Sequence, residues 1–364
     1  MRVMMTGGGT GGHIYPAIAI ADKIKQEDPT GSILFVGTKR GKESELVPQC
    51  GYPIEYIHVR GFNRKNMLRN VKVVIEYNVA LREAGKIIDR FQPDVVIGTG
   101  GYVSAPLIRA AAKRGIRTFI QEQNAIPGLT NKLLEKDVEK VFLGFQEGSA
   151  GFKDPNKHIY SGNPVRRAFY TADKKTCRES LKLDPEAFVM LAFGGSQGAG
   201  RINKAMVDVV DRYNGEQGVI VIFVPGKFYH LPVLTELIEK EIQLQDNIQI
   251  LEYIDDMARY LPAVDLVISR SGALTVSEIA VCGKPAILIP SPIVTGDHQL
   301  FNANVLGDRG GAIVIEEKNL TDEGLLLEIQ ALMADKSRLH EMGRHSKEAA
   351  TVDATSIIWE TIKQ

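Results

Sequence analysis

The chain has 364 residues, a hydrophobic fraction of 44% and a formal net charge of zero. This length suits two domains that each bury a core, and the hydrophobic fraction is that of a folded globular protein. The neutral total gives no indication of a nucleic-acid partner. The three cysteines, Cys50, Cys177 and Cys282, are widely spaced. That spacing is typical of neither a disulfide framework nor a metal site, and it favours a reducing compartment.

Charge is distributed unevenly along the chain. Residues 1–163 hold 23 Lys and Arg against 16 Asp and Glu, a net of +7, so the remaining residues carry a net of −7. A basic first half favours an anionic surface or substrate. No apolar run approaches the roughly 18 residues that a membrane span needs. Residues 1–12 are too short and glycine-rich for a signal peptide, and we therefore expect a cytoplasmic location.

Strand patterns alternate with helix patterns in the first half of the chain. Short runs rich in Val, Ile, Leu and Phe predict strands at 3–6, 33–36, 54–58, 95–98, 117–120 and 140–143. Helical patterns cover 14–26, 71–91, 105–113 and 129–135. This alternation indicates an α/β fold with a doubly wound parallel sheet.

The second half repeats the alternation. Its predicted strands are 188–193, 219–224, 248–253, 266–269, 286–290 and 312–315. Asn163 precedes Pro164 and should be extended, so we place the domain boundary there. The prediction is a first domain over 1–163 and a second over 164–345. A final helix over 346–364, which carries the only tryptophan, is expected to pack back on the first domain.

Residues 7–12, Gly-Gly-Gly-Thr-Gly-Gly, lie between the first strand and the first helix. Glycines let a ligand approach the backbone, and unpaired N–H groups at a helix start favour an anion. Gly7, Gly9 and Gly12 also fit the dinucleotide-binding pattern. That pattern needs an acidic residue after the second strand, and residues 37–40 contain none. A phosphate or diphosphate site is therefore the better interpretation.

His13 lies where this turn meets its helix. A helix N-terminus disfavours the imidazolium form, so the neutral ring could serve as a general base. The alternative is an ordinary polar residue at a helix start. Two further polar loops, 98–104 and 121–128, follow predicted strands and belong to the same rim of the sheet, where open α/β sheets bind ligands.

The second half has its own glycine turn, at 194–199. Ser196 is either a helix N-cap or a phosphate ligand, together with the N–H groups of the next two residues. In the segment 270–278, Thr275 and Glu278 have the spacing of a capping box. Alternatively, Glu278 accepts hydrogen bonds from a ribose diol. The stretch 60–72 has five basic residues and no acidic one, which suits a solvated helix face or a membrane-surface patch.

Taken together, these motifs resemble glycosyltransferase family 28, in its branch that acts in bacterial peptidoglycan synthesis. The matching stretches are 7–13, 98–104, 122–132, 162–166, 194–199, 254–257, 270–278 and 299–303. The resemblance implies a GT-B fold, with two Rossmann-like domains facing a cleft. It implies inverting transfer of N-acetylglucosamine (GlcNAc) from UDP-GlcNAc to the C4 hydroxyl of the muramoyl unit of lipid I, giving lipid II. It implies no metal or other cofactor, and peripheral attachment to the cytoplasmic face of the cell membrane. Other cell-wall synthesis proteins are further candidate partners.

The resemblance also assigns residues. Those expected to bind UDP-GlcNAc are Thr10, Gly11, Gly12, Asn124, Arg166, Ser196, Ile254, Arg270, Ala273, Leu274, Thr275, Val276, Ser277, Glu278, Gln299 and Asn302. The general base is His13 or Glu122. Acceptor or membrane contacts are expected at Tyr102, Arg64, Lys65, Met67 and Leu68. Two segments depart from the family pattern, 223–228 and 297–298, and both affect expected contacts to uracil or sugar.

Three other functions fit parts of the sequence. A UDP-sugar 2-epimerase shares the expected fold and needs no lipid acceptor. A dehydrogenase would use NAD but lacks the ribose-binding acid. A membrane-attached scaffold without catalysis is disfavoured because every motif loop is intact.

Overall fold

The computed structural model describes residues 1–61, 67–195, 197–351 and 353–364, with the backbone alone described at 67–74 and 295. The chain divides into two compact units. The first comprises Met1–Val165 together with Thr351–Gln364, and the second comprises Arg166–Ala350.

The first unit is built on a parallel sheet. Its strands are Arg2–Thr6 (β1), Ser32–Gly37 (β2), Ile54–Tyr56 (β3), Val95–Gly98 (β4), Arg117–Glu122 (β5), Lys140–Leu143 (β6) and His158–Tyr160 (β7). They lie in the order β3-β2-β1-β4-β5-β6-β7, and each neighbouring pair is parallel. The order reverses direction at β1, so the loops after β1 and β4 flank the switch point where such sheets bind ligands.

Helices cover both faces of this sheet. In chain order they are Gly11–Glu27 (α1), Glu43–Gln49 (α2), Met67–Phe91 (α3), Ser104–Ala112 (α4) and Leu129–Leu134 (α5). One face carries a core in which α3 and α4 pack on the strands, and the other carries a core formed with α1. Both faces of the strands are therefore apolar, as their continuous Val, Ile, Leu and Phe runs predict.

The second unit repeats the plan. Its strands are Phe188–Phe193 (β8), Val219–Val224 (β9), Ile248–Ile250 (β10), Leu266–Ser269 (β11), Ala286–Leu288 (β12) and Ala312–Val314 (β13). The parallel order is β10-β9-β8-β11-β12-β13. Its helices are Arg167–Thr171 (α6), Lys174–Leu181 (α7), Gly200–Tyr213 (α8), His230–Glu239 (α9), Met257–Tyr260 (α10), Ala273–Cys282 (α11), His298–Gly307 (α12), Asp322–Ala334 (α13) and Lys336–Glu348 (α14).

The end of the chain differs from the single helix predicted over 346–364. Residues 346–348 end α14, and a separate helix, Ala354–Ile362 (α15), follows in the first unit. Asp353 caps α15 by accepting a hydrogen bond from the Ser356 N–H. Ile358 and Ile362 are fully buried in the core formed with α1. Each such side chain contributes about 1.5–3 kcal/mol by burial, which fixes α15 on this unit.

Candidate active site

The first glycine turn leads from β1 into α1. Gly9 has a φ of +87°, a conformation that favours glycine. A Cβ at Gly7 would lie 2.0 Å from Thr99 Oγ1. Thr10 does not cap α1 with its side chain, and no hydrogen bond occupies the N–H groups of Gly11 and Gly12 in the described part of the chain.

Some helices of the chain have a side-chain cap at the N-terminus, whereas others, including α2, α4 and α9, have none. Asp or Thr side chains cap α7, α13, α14 and α15. By contrast, α1, α8 and α11 follow the predicted binding turns and have no side-chain cap. Their first N–H groups are therefore available to a ligand, and a helix N-terminus favours an anionic one.

A buried carboxylate that the sequence interpretation missed holds the first turn in place. Glu43 is 1% exposed. Its Oε2 accepts a hydrogen bond from the Gly9 N–H at 3.0 Å. Its Oε1 accepts from Thr38 N–H at 3.0 Å and from Thr38 Oγ1 at 2.8 Å. A Cβ at any of three glycines would come within 3 Å of the Glu43 side chain; these are Gly8, Gly37 and Gly41.

The loop after β4 packs directly on this turn. A Cβ at Gly101 would lie 2.4 Å from the Gly8 carbonyl oxygen, and one at Gly100 would lie 2.8 Å from His13 Nδ1. Both glycines have positive φ. The same loop brings Tyr102 beside the turn, because the Tyr102 ring is 3.8 Å from where a Cβ of Gly9 would be. The two loops therefore form one rim, as predicted.

His13 is held at two points. Its Nδ1 is 2.9 Å from Gln123 Oε1, and its carbonyl oxygen accepts a hydrogen bond from Thr99 Oγ1 at 2.6 Å. The ring is partly exposed. No hydrogen bond reaches Nε2 from any described residue, so this nitrogen can accept a proton from a bound molecule.

Glu122, the other candidate base, is surrounded by hydrogen-bond donors of the protein. Its Oε1 accepts from the N–H and the Nδ2 of Asn124, at 3.0 and 2.9 Å. Its Oε2 accepts from Gly128 N–H and Asn131 Nδ2, both at 2.9 Å. The side chain is 1% exposed. Since both oxygens are engaged, this carboxylate shapes the loop that presents Asn124, and the geometry favours His13 as the base.

The second glycine turn, after β8, is packed in another way. Gly195 and Gly198 have φ of +90° and +89°. A Cβ at Gly198 would lie 2.1 Å from the Pro225 carbonyl oxygen, and one at Gly226 would lie 2.4 Å from the Gly198 nitrogen. The segment that departs from the family pattern therefore supports this turn through its backbone. Ser196 lies outside the described residues.

The helix α11 begins at Ala273, with Gly272 as its N-cap residue. Thr275 is thus inside the helix, and the capping-box interpretation of Thr275 and Glu278 is wrong. The N–H groups of residues 273–275 have no partner within the helix. By contrast, Val276 N–H donates to the Gly272 carbonyl at 2.9 Å, and the Val276 side chain is fully buried. Ser277 Oγ donates to the Ala273 carbonyl at 2.9 Å.

Glu278 lies one turn further along α11. Part of its side chain remains accessible, but the surrounding protein removes enough water to raise the pKa of the carboxyl to about 7. The nearby Arg166 guanidinium acts in the opposite direction and lowers this pKa. No described residue donates a hydrogen bond to Glu278. Arg166 is exposed and lies over the Phe169 ring, 5.4 Å from its centroid.

The Arg270 side chain forms hydrogen bonds and an ion pair with neighbouring loops. Its Nη1 donates to the carbonyls of Ile289 and Pro290, each at 3.0 Å, and its Nη2 pairs with Glu317. The side chain therefore fixes the loop after β12, in addition to lining the region next to α11. The resemblance also implied that Arg270 lines the nucleotide pocket, and this stays a prediction.

Residues at the start of α12 connect to the same loops. Ser271 Oγ donates to the Gln299 carbonyl at 2.7 Å, and Gln299 Oε1 accepts from Ser291 N–H at 2.9 Å. Asn302 is 1% exposed, and its Nδ2 donates to the Ser271 carbonyl at 3.3 Å. These hydrogen bonds connect the ends of β11 and β12 to the start of α12. The residues on these elements that are predicted to bind UDP-GlcNAc are thereby brought together.

The remaining predictions concern Ile254 and residues that lie partly or wholly outside the described ranges. No hydrogen bond engages the backbone N–H or C=O of Ile254 in the part of the chain that the structure covers, and its side chain is 7% exposed. Arg64 and Lys65 lie outside the described residues, as do the side chains of Met67 and Leu68 in α3. No helix in the described ranges has the length and apolar character needed to cross a membrane.

Both units match domain models of one enzyme family. The glycosyltransferase family 28 N-terminal domain matches residues 3–143, and the family 28 C-terminal domain matches residues 189–357. With these two α/β sheets and their glycine turns, the chain belongs to glycosyltransferase family 28.

Similar proteins assign the chain to a narrower group within this family. A UDP-N-acetylglucosamine–N-acetylmuramyl-(pentapeptide) pyrophosphoryl-undecaprenol N-acetylglucosamine transferase of Acetivibrio thermocellus is 42% identical, over 100% of this chain and 98% of the relative. The crystal structure of Acinetobacter baumannii MurG is 29% identical, with a TM-score of 0.79 and coverage of 100% and 99%. Within family 28, the chain is a member of the MurG group. The predicted GT-B fold class is confirmed by this match.

A UDP-GlcNAc 2-epimerase from Neisseria meningitidis, whose structure has UDP-GlcNAc bound, is also similar in fold. It covers 100% of both chains with a TM-score of 0.70, but the identity is only 12%. This likeness concerns the fold alone, so it does not favour the epimerase alternative.

Proposed function

We propose that this protein transfers GlcNAc from UDP-GlcNAc to the C4 hydroxyl of the muramoyl unit of lipid I, with inversion, giving lipid II and UDP. The observation that carries the proposal is the full-length relation to the Acetivibrio thermocellus transferase, whose name states this donor sugar and acceptor. The geometry of each unit supports it independently.

The first unit supplies the base. We assign to His13 Nε2 the removal of the proton from the acceptor hydroxyl, because this ring nitrogen has no partner among the described residues. The hydroxyl oxygen then bonds to C1 of GlcNAc while the bond from C1 to the diphosphate oxygen breaks. One direct displacement inverts the configuration at C1. A positioned base contributes about 100- to 10,000-fold to such a step.

The second unit holds the donor. In the proposal, the N–H groups at the start of α11 and of α8, which follows the second glycine turn, bind the diphosphate and stabilise the charge that develops as UDP leaves. Glu278 accepts hydrogen bonds from the ribose, and the absence of any hydrogen-bond donor to it among the described residues supports that role. The unpaired backbone groups of Ile254 suit the amide-like edge of uracil. Arg166, near Glu278, supplies a positive charge for the nucleotide.

Lipid I carries its own diphosphate, which suits the uncapped start of α1. We place the acceptor over the first turn, with Tyr102 at its edge. We further propose peripheral attachment to the cytoplasmic face of the membrane. Two apolar residues one turn apart on α3 support this, since Ile75 is 62% and Val79 is 41% exposed. They follow the basic stretch 60–72 directly, and basic and apolar residues together favour an anionic lipid surface.

The test measures UDP release from UDP-GlcNAc with and without a soluble lipid I analogue. The proposal predicts release that depends on the analogue, together with a disaccharide product. Release without the analogue, or formation of an epimerised sugar nucleotide, would refute it. His13→Ala is the matched control, because it should abolish acceptor-dependent release while the variant still binds UDP.

A further inference from the structure

Gln123 is buried beside His13, and its amide has a fixed orientation. It is 2% exposed. Its Nε2 faces three oxygen acceptors, which are the Thr99 carbonyl at 2.7 Å, the Gln121 carbonyl at 3.1 Å and the Gln121 Oε1. Turning the amide over would place its oxygen against three other oxygens. The network therefore requires the NH₂ group at this end.

The neighbouring amides agree with this orientation. Gln121 is fully buried, and its Nε2 donates to Asn163 Oδ1 at 3.0 Å and to the Glu122 carbonyl at 3.1 Å. Its oxygen is thus the end that faces Gln123. Asn163 in turn donates from Nδ2 to the Gln123 carbonyl at 2.9 Å. Each amide in the cluster has one orientation that satisfies its partners, and such closed networks are rigid.

The fixed orientation of the Gln123 amide decides which ring nitrogen of His13 carries the proton. Gln123 Oε1 is 2.9 Å from His13 Nδ1, and an amide oxygen can only accept a hydrogen bond. The proton of the neutral ring must therefore reside on Nδ1, which leaves the lone pair on Nε2. The partner of one ring nitrogen decides the state of the other.

We propose that Gln123 is a positioning residue that holds His13 as the Nδ1–H tautomer, with Nε2 as the proton acceptor. Its catalytic meaning rests on the proposed function, but the tautomer is a property of the free protein. The buried amide oxygen of Gln123 keeps the proton on Nδ1, so that Nε2, on the other side of the ring, is the basic nitrogen. Gln123 need not touch either substrate to act in this way.

The first test is the nitrogen NMR spectrum of the His13 ring in the free, ¹⁵N-labelled protein, identified by its loss in His13→Ala. At a pH where the ring is neutral, we expect a protonated-type shift for Nδ1 and an unprotonated-type shift for Nε2. The reverse pattern in the unmodified protein would overturn the proposal without any variant. Because no substrate is present, this result stands or falls separately from the transferase reaction.

The second test compares two variants. Gln123→Met removes the acceptor, so the ring should become a tautomer mixture and kcat should fall about 10- to 100-fold, while the KM for UDP-GlcNAc changes by less than about 2-fold. Gln121→Met removes a buried amide from the same cluster but leaves the Thr99 and Gln121 carbonyls to orient Gln123, so it should keep the Nδ1–H pattern. Equal loss of the pattern in both folded variants would overturn the assignment to Gln123.

Discussion

The two glycine turns are built on the same strand-turn-helix plan, but different groups support them. The first turn is clamped by a buried carboxylate, Glu43, and is followed at once by a titratable side chain, His13. The second turn is supported by backbone, since Gly198 and Gly226 lie in close contact. The carboxylate of the second unit, Glu278, lies on a different helix.

This difference indicates that the two units have different roles in the proposed reaction. Both turns offer uncapped helix N–H groups, so both suit anions. The first turn leads to a histidine that we propose as the base, whereas the second unit has a carboxylate with a raised pKa and a nearby arginine, which we propose as binding groups. In the proposed function, proton transfer therefore belongs to the first unit and UDP binding to the second.

The largest effect is expected at His13. His13→Ala should lower kcat about 100- to 10,000-fold because it removes the general base. UDP affinity should stay within about 2-fold, because in the proposed function the second unit holds the nucleotide. Steady-state transfer and calorimetric titration with UDP measure the two quantities. Equal losses in both would give His13 a binding or structural role.

Glu278 should show the opposite pattern. Glu278→Ala should weaken UDP binding about 10- to 100-fold, because hydrogen bonds to a charged group contribute about 1.5–3 kcal/mol. The rate at saturating donor should change little. Titration with UDP and with a 2′,3′-dideoxy analogue makes the test specific. If the variant discriminates between these ligands as strongly as the unmodified protein does, Glu278 does not bind the ribose.

Glu43 tests whether the first turn depends on its clamp. Glu43→Gln places an NH₂ group against the Gly9 or Thr38 N–H, so it should reduce the free energy of unfolding by about 1–3 kcal/mol. It should also lower kcat, because the turn loses its position.

The matched control for that variant is Glu135→Gln. Glu135 is another buried carboxylate of the first unit, and it accepts hydrogen bonds from the N–H groups of Lys153 and Asp154. Both N–H groups meet Oε1, a position that the glutamine oxygen can occupy, so this variant should lose less stability than Glu43→Gln and should retain kcat. Equal kcat in the two variants would remove the special role of Glu43.

The raised pKa of Glu278 predicts a pH-dependent stability. An acid that binds its proton more tightly in the folded state favours folding at low pH, and this contribution is lost as the pH rises from about 4.5 to about 7. Glu278→Gln stays neutral, so it should be more stable than the unmodified protein by about 1–3 kcal/mol at pH 8. The two should converge near pH 4.5. Thermal unfolding at both pH values checks this, and a constant difference would contradict it.

The smallest effects are expected within the second turn. Gly195 has open space where a Cβ would lie, so Gly195→Ala should cost about 1 kcal/mol, from its positive φ alone. Gly198 has the same conformation, but its Cβ would overlap the Pro225 carbonyl. Gly198→Ala should therefore weaken UDP binding more than Gly195→Ala does. Identical UDP affinities would show that the contact with Pro225 does not shape this turn.

Much of the fold is predictable from sequence because buried parallel strands are nearly continuous apolar runs. The strands 95–98, 188–193 and 219–224 were predicted with the bounds that the structure has. The edge strand β7, His158–Tyr160, was missed, since three residues with one aliphatic side chain give no strand pattern. The break between α14 and α15 was also missed, because the helical pattern continues across it.

The parts of the candidate site that are formed by backbone groups can be predicted from sequence. The parts that are formed by buried side chains are harder to predict. A glycine run between a strand and a helix is visible in sequence, so the turns at 7–12 and 194–199 could be predicted as structural features. Glu43 and Gln123 were not predicted, because in sequence they are ordinary polar residues beside loops. Their roles come from burial against groups distant in sequence, such as Gly9 and His13. The glycines at 37 and 41 were the available signal, since they leave room for the Glu43 side chain.

The most direct test of the different roles of the two units is a single-turnover measurement with saturating UDP-GlcNAc and lipid I analogue. The rate of disaccharide formation is followed in His13→Ala and in Glu278→Ala. We expect a rate reduced at least about 100-fold in the first variant and, once UDP-GlcNAc is saturating, a rate within about 3-fold of the unmodified protein in the second. Equal reductions in both variants at saturation would contradict this expectation, because base and donor site would then not be separable.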